Sequence, residues 1–98
     1  MIEFLTDENE FKLNDSIQIL YFYINTSFYH KKMLLMFNSL DFNTKIIAID
    51  AENFKNQCIR FDIKCAPTVI VLNNGKELKR VSGLINFNIL NKILKCDI

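Results

Sequence analysis

The sequence predicts one α/β domain spanning residues 1–98, built in three layers. A mixed central sheet carries helices on both faces, in the order β-α-β-α-β-α-β-β-α. Three observations predict it. Two apolar runs rich in β-formers, 17–24 and 45–49, are bounded by turn residues, the pattern of central strands buried on both faces. Segments with apolar residues at helical spacing come after them. Further on, residues 68–72 and 76–81 flank Asn73-Asn74-Gly75, a hairpin signal that adds an antiparallel pair to an alternating plan.

In chain order, residues 1–5 are short and apolar around Glu3 and read as an edge strand. Thr6 is the expected cap of a short helix, with Asp7 and Glu8 in its first turn, where the helix dipole favours negative charge. Asn14-Asp15-Ser16 ends it. The run Ile17–Ile24 is the central strand, and Asn25-Thr26-Ser27 breaks it. Ser27 caps the next helix, whose stripe is Met33, Leu34, Phe37 and Leu40. A loop over 41–44 leads to the strand 45–49, which ends at Asp50. A helix is predicted over 51–61, with Phe54, Cys58 and either Phe61 or Ile59 facing inward. Pro67 cannot donate to a sheet ladder, so it belongs at the start of the next strand. The polar, alternating residues 76–81 read as an edge strand. Asn86 caps a final helix in which Phe87, Leu90, Ile93 and Leu94 face the sheet.

Composition excludes several classes. Half of the residues are apolar, which argues for a packed core, and 98 residues suffice to bury about two thirds of the unfolded surface. The formal net charge of +1 marks no nucleic-acid surface. No apolar run approaches the ~18 residues of a membrane span, and acidic residues stand where a secretory signal needs positive charge. Cys58, Cys65 and Cys96 make an odd count without C-x-x-C spacing, so neither a disulfide framework nor a zinc ribbon is expected. A cytoplasmic protein with free thiols and no cofactor is the expectation.

The run Lys64-Cys65-Ala66-Pro67-Thr68, with Asn74-Gly75 and Val81-Ser82-Gly83 after it, resembles the C-terminal half of thioredoxins. The resemblance extends over nearly the whole chain and is strongest from Lys45 onward. It implies a thioredoxin fold and a cis peptide between Ala66 and Pro67, facing the position of the family's redox-active cysteine pair. There this chain departs from the family. Thioredoxins carry Trp-Cys-Gly-Pro-Cys at the start of the second helix; this chain reads Thr26-Ser27-Phe28-Tyr29-His30. Ser27 stands where the attacking cysteine would be and His30 where the resolving one would be, so dithiol exchange at this site is absent. Tyr21 takes the position of the family's buried aspartate and Ile46 that of its accompanying lysine. The segment between the second strand and Asp50 is about six residues shorter than in typical thioredoxins, so the second helix is expected to be trimmed.

These residues carry the functional expectation. Ser27 and His30 at a helix start invite a nucleophile–base reading, but no orienting carboxylate is evident, so a capping serine and a partly buried neutral histidine are favoured. His30 with Cys65 is too small a ligand set for structural zinc, and no metal is expected. Phe28 and Tyr29 place two aromatics at a loop tip, either as a protein contact or with one folded back onto Met33 or Phe61. The retained groove is expected to bind a protein partner through Phe28, Tyr29, Ala66, Pro67, Thr68 and Leu84, with Ala66 backbone groups pairing to an extended segment. The alternative is a monothiol redox switch at Cys65, next to Lys64. A third possibility is a purely structural subunit.

Overall fold

The computed structural model describes residues 2–40 and 44–95. Five strands and three α-helices succeed one another as β1 (Ile2–Phe4), β2 (Ile17–Tyr23), α1 (Phe28–Ser39), β3 (Ile46–Asp50), α2 (Lys55–Arg60), β4 (Thr68–Asn73), β5 (Lys76–Ser82) and α3 (Phe87–Leu94). A single 3₁₀ turn, Glu8–Glu10, lies between β1 and β2. The sheet order is β1-β3-β2-β4-β5. Strands β1, β3 and β2 are parallel, and β4 runs antiparallel to both of its neighbours.

Its apolar run places β2 at the centre. Every residue from Gln18 to Tyr23 is buried, and burial of each large apolar side chain contributes about 1.5–3 kcal/mol. The period of two then sorts the strand between two cores. Ile19, Tyr21 and Tyr23 meet Met33 and Phe37 of α1 and Leu90, Ile93 and Leu94 of α3. Leu20 and Phe22 meet Phe11, Ile49, Ile70 and Leu72, closed over by Phe54, Phe61 and Ile63 around α2. Helices thus cover both faces, as the alternating order requires. No helix among the described residues is long and apolar enough to cross a membrane.

The hairpin turn is two residues, with Asn73 paired to Lys76. Asn74 and Gly75 both have positive φ, 54° and 75°, the requirement of a type I′ turn. Strand β5 is the exposed edge that its polarity predicts, irregular where it passes Val71 and Leu72.

Three local expectations are corrected. The first cap is Asp7 rather than Thr6, since the Asp7 carboxylate accepts from Asn9 N at 3.0 Å, and the segment it caps is one 3₁₀ turn. The helix expected over 51–61 is confined to Lys55–Arg60, because the chain first turns back so that Asn53 N and Phe54 N both donate to Asp50 O. At its end Phe61 turns inward and Ile59 stays 78% exposed, while Gln57 is buried. In α3, Phe87 is 43% exposed and Ile85 takes its core place. Asn86 does cap the helix, its side chain accepting from Ile89 N at 2.9 Å. Ile85 precedes this cap and shares a core with Leu90, so the apolar contact spans the cap as a staple does. The expectations for residues 41–43 and for Cys96 lie outside the described residues.

Candidate functional site

Antiparallel pairing of β2 with β4 brings Phe22 opposite Thr68, so the end of β2 and the start of β4 meet at one rim of the sheet. The start of α1 is there too, a short turn beyond Tyr23. Pairing of Thr68 with Ser82 brings the end of β5 to the same rim, where Gly83 N donates to Pro67 O at 3.0 Å. Every residue of the predicted site therefore lies at one end of the molecule.

Ser27 caps α1. Its side chain accepts from Tyr29 N at 3.2 Å and its carbonyl from His30 N at 3.1 Å. The hydroxyl is thus occupied with the helix terminus, as a serine at this position should be. His30 is buried. Its Nδ1 is hydrogen-bonded to the Tyr21 hydroxyl at 2.8 Å, and either tautomer of the neutral ring makes this bond. The ring stacks on Tyr23, with centroids 4.3 Å apart and planes 11° from parallel. Loss of water lowers the His30 pKa, partly opposed by the charge of Asp50. Burial pushes the Tyr21 phenol far above its ordinary value, and Tyr23 adds to the shift. Both groups are neutral near pH 7. The sequence alone offers no third group for His30; Tyr21 is that group. Two neutral side chains, hydrogen-bonded to each other, stand where the resemblance would put a buried carboxylate and a resolving cysteine. This avoids an unpaired charge in the core.

The two aromatics part ways. Tyr29 folds back, and its hydroxyl donates to Ile85 O, which ties α1 to the segment after Gly83. Its ring also packs against the core that contains Met33, one of the two anchors expected. Phe28 is 75% exposed, with Lys32 Nζ 5.2 Å from the ring centroid. Across the rim Leu84 is 85% exposed. Between them lies the loop before β4. The Ala66–Pro67 peptide is cis, Pro67 is buried and Ala66 is half-buried. Thr68 is buried, and its hydroxyl donates to Cys65 O at 2.7 Å, which fixes the turn from within.

Cys65 is exposed. Lys64 beside it pairs with Asp62 at 3.1 Å, so this cation is engaged elsewhere. A residue that sequence reasoning missed positions this loop. Arg80 of β5 donates to Phe61 O and to Asp62 O, and is itself held by Glu77 at 2.8 Å. It fastens the turn after α2 onto the sheet. An arginine on a polar edge strand carries no sequence signal for such a brace.

No family model matches the chain, and no curated protein matches it in sequence. Solved structures do match. The thioredoxin of Trypanosoma brucei brucei superposes with a TM-score of 0.83 at 19% identity, covering 97% of this chain and 88% of the other. The Schistosoma mansoni thioredoxin gives 0.82 at 18%, covering 99% and 95%. That of Malassezia sympodialis gives 0.81 at 16%, covering 97% and 90%. This chain has the thioredoxin fold, as its cis-proline run and element order imply. At the end of the sheet where the resemblance locates the redox pair, it carries a serine cap and a buried tyrosine–histidine pair.

Proposed function

We propose that this chain is a thioredoxin-like binding module whose active-site-equivalent face holds an extended segment of a partner protein, with no dithiol chemistry at Ser27 and His30. The observation that carries this reading is the pair Phe28 and Leu84, both exposed to solvent, on the segments that follow β2 and β5, the two strands flanking β4, which Ala66 and Pro67 lead into. Each exposed apolar side chain forgoes about 1.5–3 kcal/mol of burial, which a partner can recover. The tie from Tyr29 to Ile85 holds the two sides of the face together. Hot-spot residues of interfaces are few and enriched in aromatics, and a flanking aromatic such as Phe28 suits an extended segment. A cytoplasmic setting fits the free thiols.

The test is selection of peptides from a displayed library, with reductant present, against the wild type and a Cys58→Ser/Cys65→Ser/Cys96→Ser variant. The expected result is one shared set of peptides, with affinity falling at least about tenfold in Phe28→Asp or Leu84→Asp. Absence of any selected peptide would overturn the reading. A thiol switch at Cys65 is the second reading, favoured by exposure of that thiol next to Ala66. It is the one that survives if partners are captured only without reductant and only when Cys65 is present.

A further inference from the structure

Outside the altered helix start, two cysteines line one cleft. Cys58 on α2 and Cys65 before the cis peptide both line a cleft of about 290 Å³, walled also by Ile24, Ala51, Ile63 and Ala66. The backbone explains why residues separated by most of a helix turn and a loop converge. Helix α2 ends with Ile63 N donating to Cys58 O at 2.8 Å and Asp62 N donating to Ile59 O at 3.2 Å. These are the paired bonds of a Schellman motif, with Asp62 at φ 53° as its left-handed residue. The motif folds the chain back over Cys58, and Cys65 comes two residues after Ile63. Arg80 holds this turn from the sheet side.

The two thiols differ in setting. Cys65 is exposed, whereas Cys58 is half-buried and donates to Ala51 O at 3.6 Å. Burial, with the charge of Asp50 adding, raises the Cys58 pKa, so Cys58 stays protonated while an outer thiol reacts.

We propose that Cys58 and Cys65, which line one cleft between α2 and the cis-proline loop, form a dithiol–disulfide couple that takes a low-molecular-weight disulfide as its oxidant. The Cys65 thiolate attacks one sulfur of the small disulfide; an S–S bond forms to Cys65, the original S–S bond breaks, and the departing thiolate takes a proton from water. Cys58 then gives its proton to solvent and attacks the Cys65 sulfur. The Cys58–Cys65 bond forms and the second small thiol leaves. Two protein thiols are oxidised, and one small disulfide is reduced to two thiols. The couple sits beside the binding face but needs none of its exposed apolar residues, so it stands or falls separately from the binding reading.

The experiment treats the full-length Cys96→Ser protein with oxidised glutathione and follows intact mass, then maps tryptic peptides without reduction. Arg60 and Lys64 lie between the two cysteines, so trypsin separates them unless a disulfide joins their peptides. The expected result is loss of two hydrogens and a Cys58–Cys65 linked peptide. In the Cys58→Ser variant of the same protein the glutathione adduct should persist on Cys65, and in Cys65→Ser neither product should form. A stable adduct on Cys65 with Cys58 still reduced would overturn the proposal. So would a disulfide joining two copies of the chain through Cys65.

Discussion

At the scale of single residues, the candidate site turns on Tyr21 and His30. Truncating the tyrosine leaves His30 buried with one ring nitrogen unpaired, which costs about 1–3 kcal/mol. Tyr21→Phe should therefore lower unfolding free energy by that amount in urea, with little change in slope against denaturant. A mutant as stable as the wild type would contradict the pairing. The pH dependence comes from the lowered His30 pKa. The unfolded chain takes up a proton near the ordinary histidine value of about 6.5, while the folded chain resists it until lower pH. More protons bound when unfolded means stability falls as pH drops through that window, and the slope ends below the folded pKa. His30→Gln should flatten the fall in melting temperature between about pH 7.5 and about pH 5.5. This pair is half legible in the sequence. The neutral buried histidine can be read from its place in the first turn, where the dipole disfavours a cation. Its partner cannot, because Tyr21 is nine residues away on a strand and meets His30 only through the packing of α1 on the sheet.

Elements differ in how firmly local chemistry fixes them. The hairpin is legible because Asn74-Gly75 satisfies a backbone demand that few dipeptides meet. Gly75 has φ 75°, and a Cβ there would touch only Leu13 at 3.8 Å, an ordinary contact. Gly75→Ala should thus cost about 1–2 kcal/mol through backbone conformation rather than crowding, read as a lower denaturation midpoint. Helix α2 is misjudged in length from sequence because its boundaries are set by hydrogen bonds at the ends. Its start is delayed by the turn on Asp50 O, and its finish is fixed by Asp62 and held by Arg80. Arg80→Ala should destabilise by about 1–2 kcal/mol, since two carbonyls lose a charged donor. Faster amide exchange at Asp62 and Ile63 than across β4 would locate the effect at this turn. Phe87 is expected inward because helical spacing cannot tell a first-turn residue from one before the cap. Ile85 fills the core from outside the helix.

At the scale of the whole molecule, the fold arises from a small set of constraints. A central strand apolar on both faces, two helices on one side and α2 on the other, and an antiparallel hairpin at one edge leave few arrangements. The candidate face is legible as a set of positions, because the cis-proline run and the break after β2 mark its two sides in the sequence. Its surface character is not. Phe28 and Tyr29 are adjacent and chemically alike, yet one stands in solvent and the other reaches Ile85, a difference that depends on a segment 56 residues away. Binding at this face is tested most directly by an amide shift map of the labelled protein, titrated with a peptide selected under reductant. Perturbations should cluster at Phe28–His30, Ala66–Thr68 and Gly83–Ile85. Perturbations confined to the edge of β1 or β5, with those three segments unmoved, would contradict the binding reading.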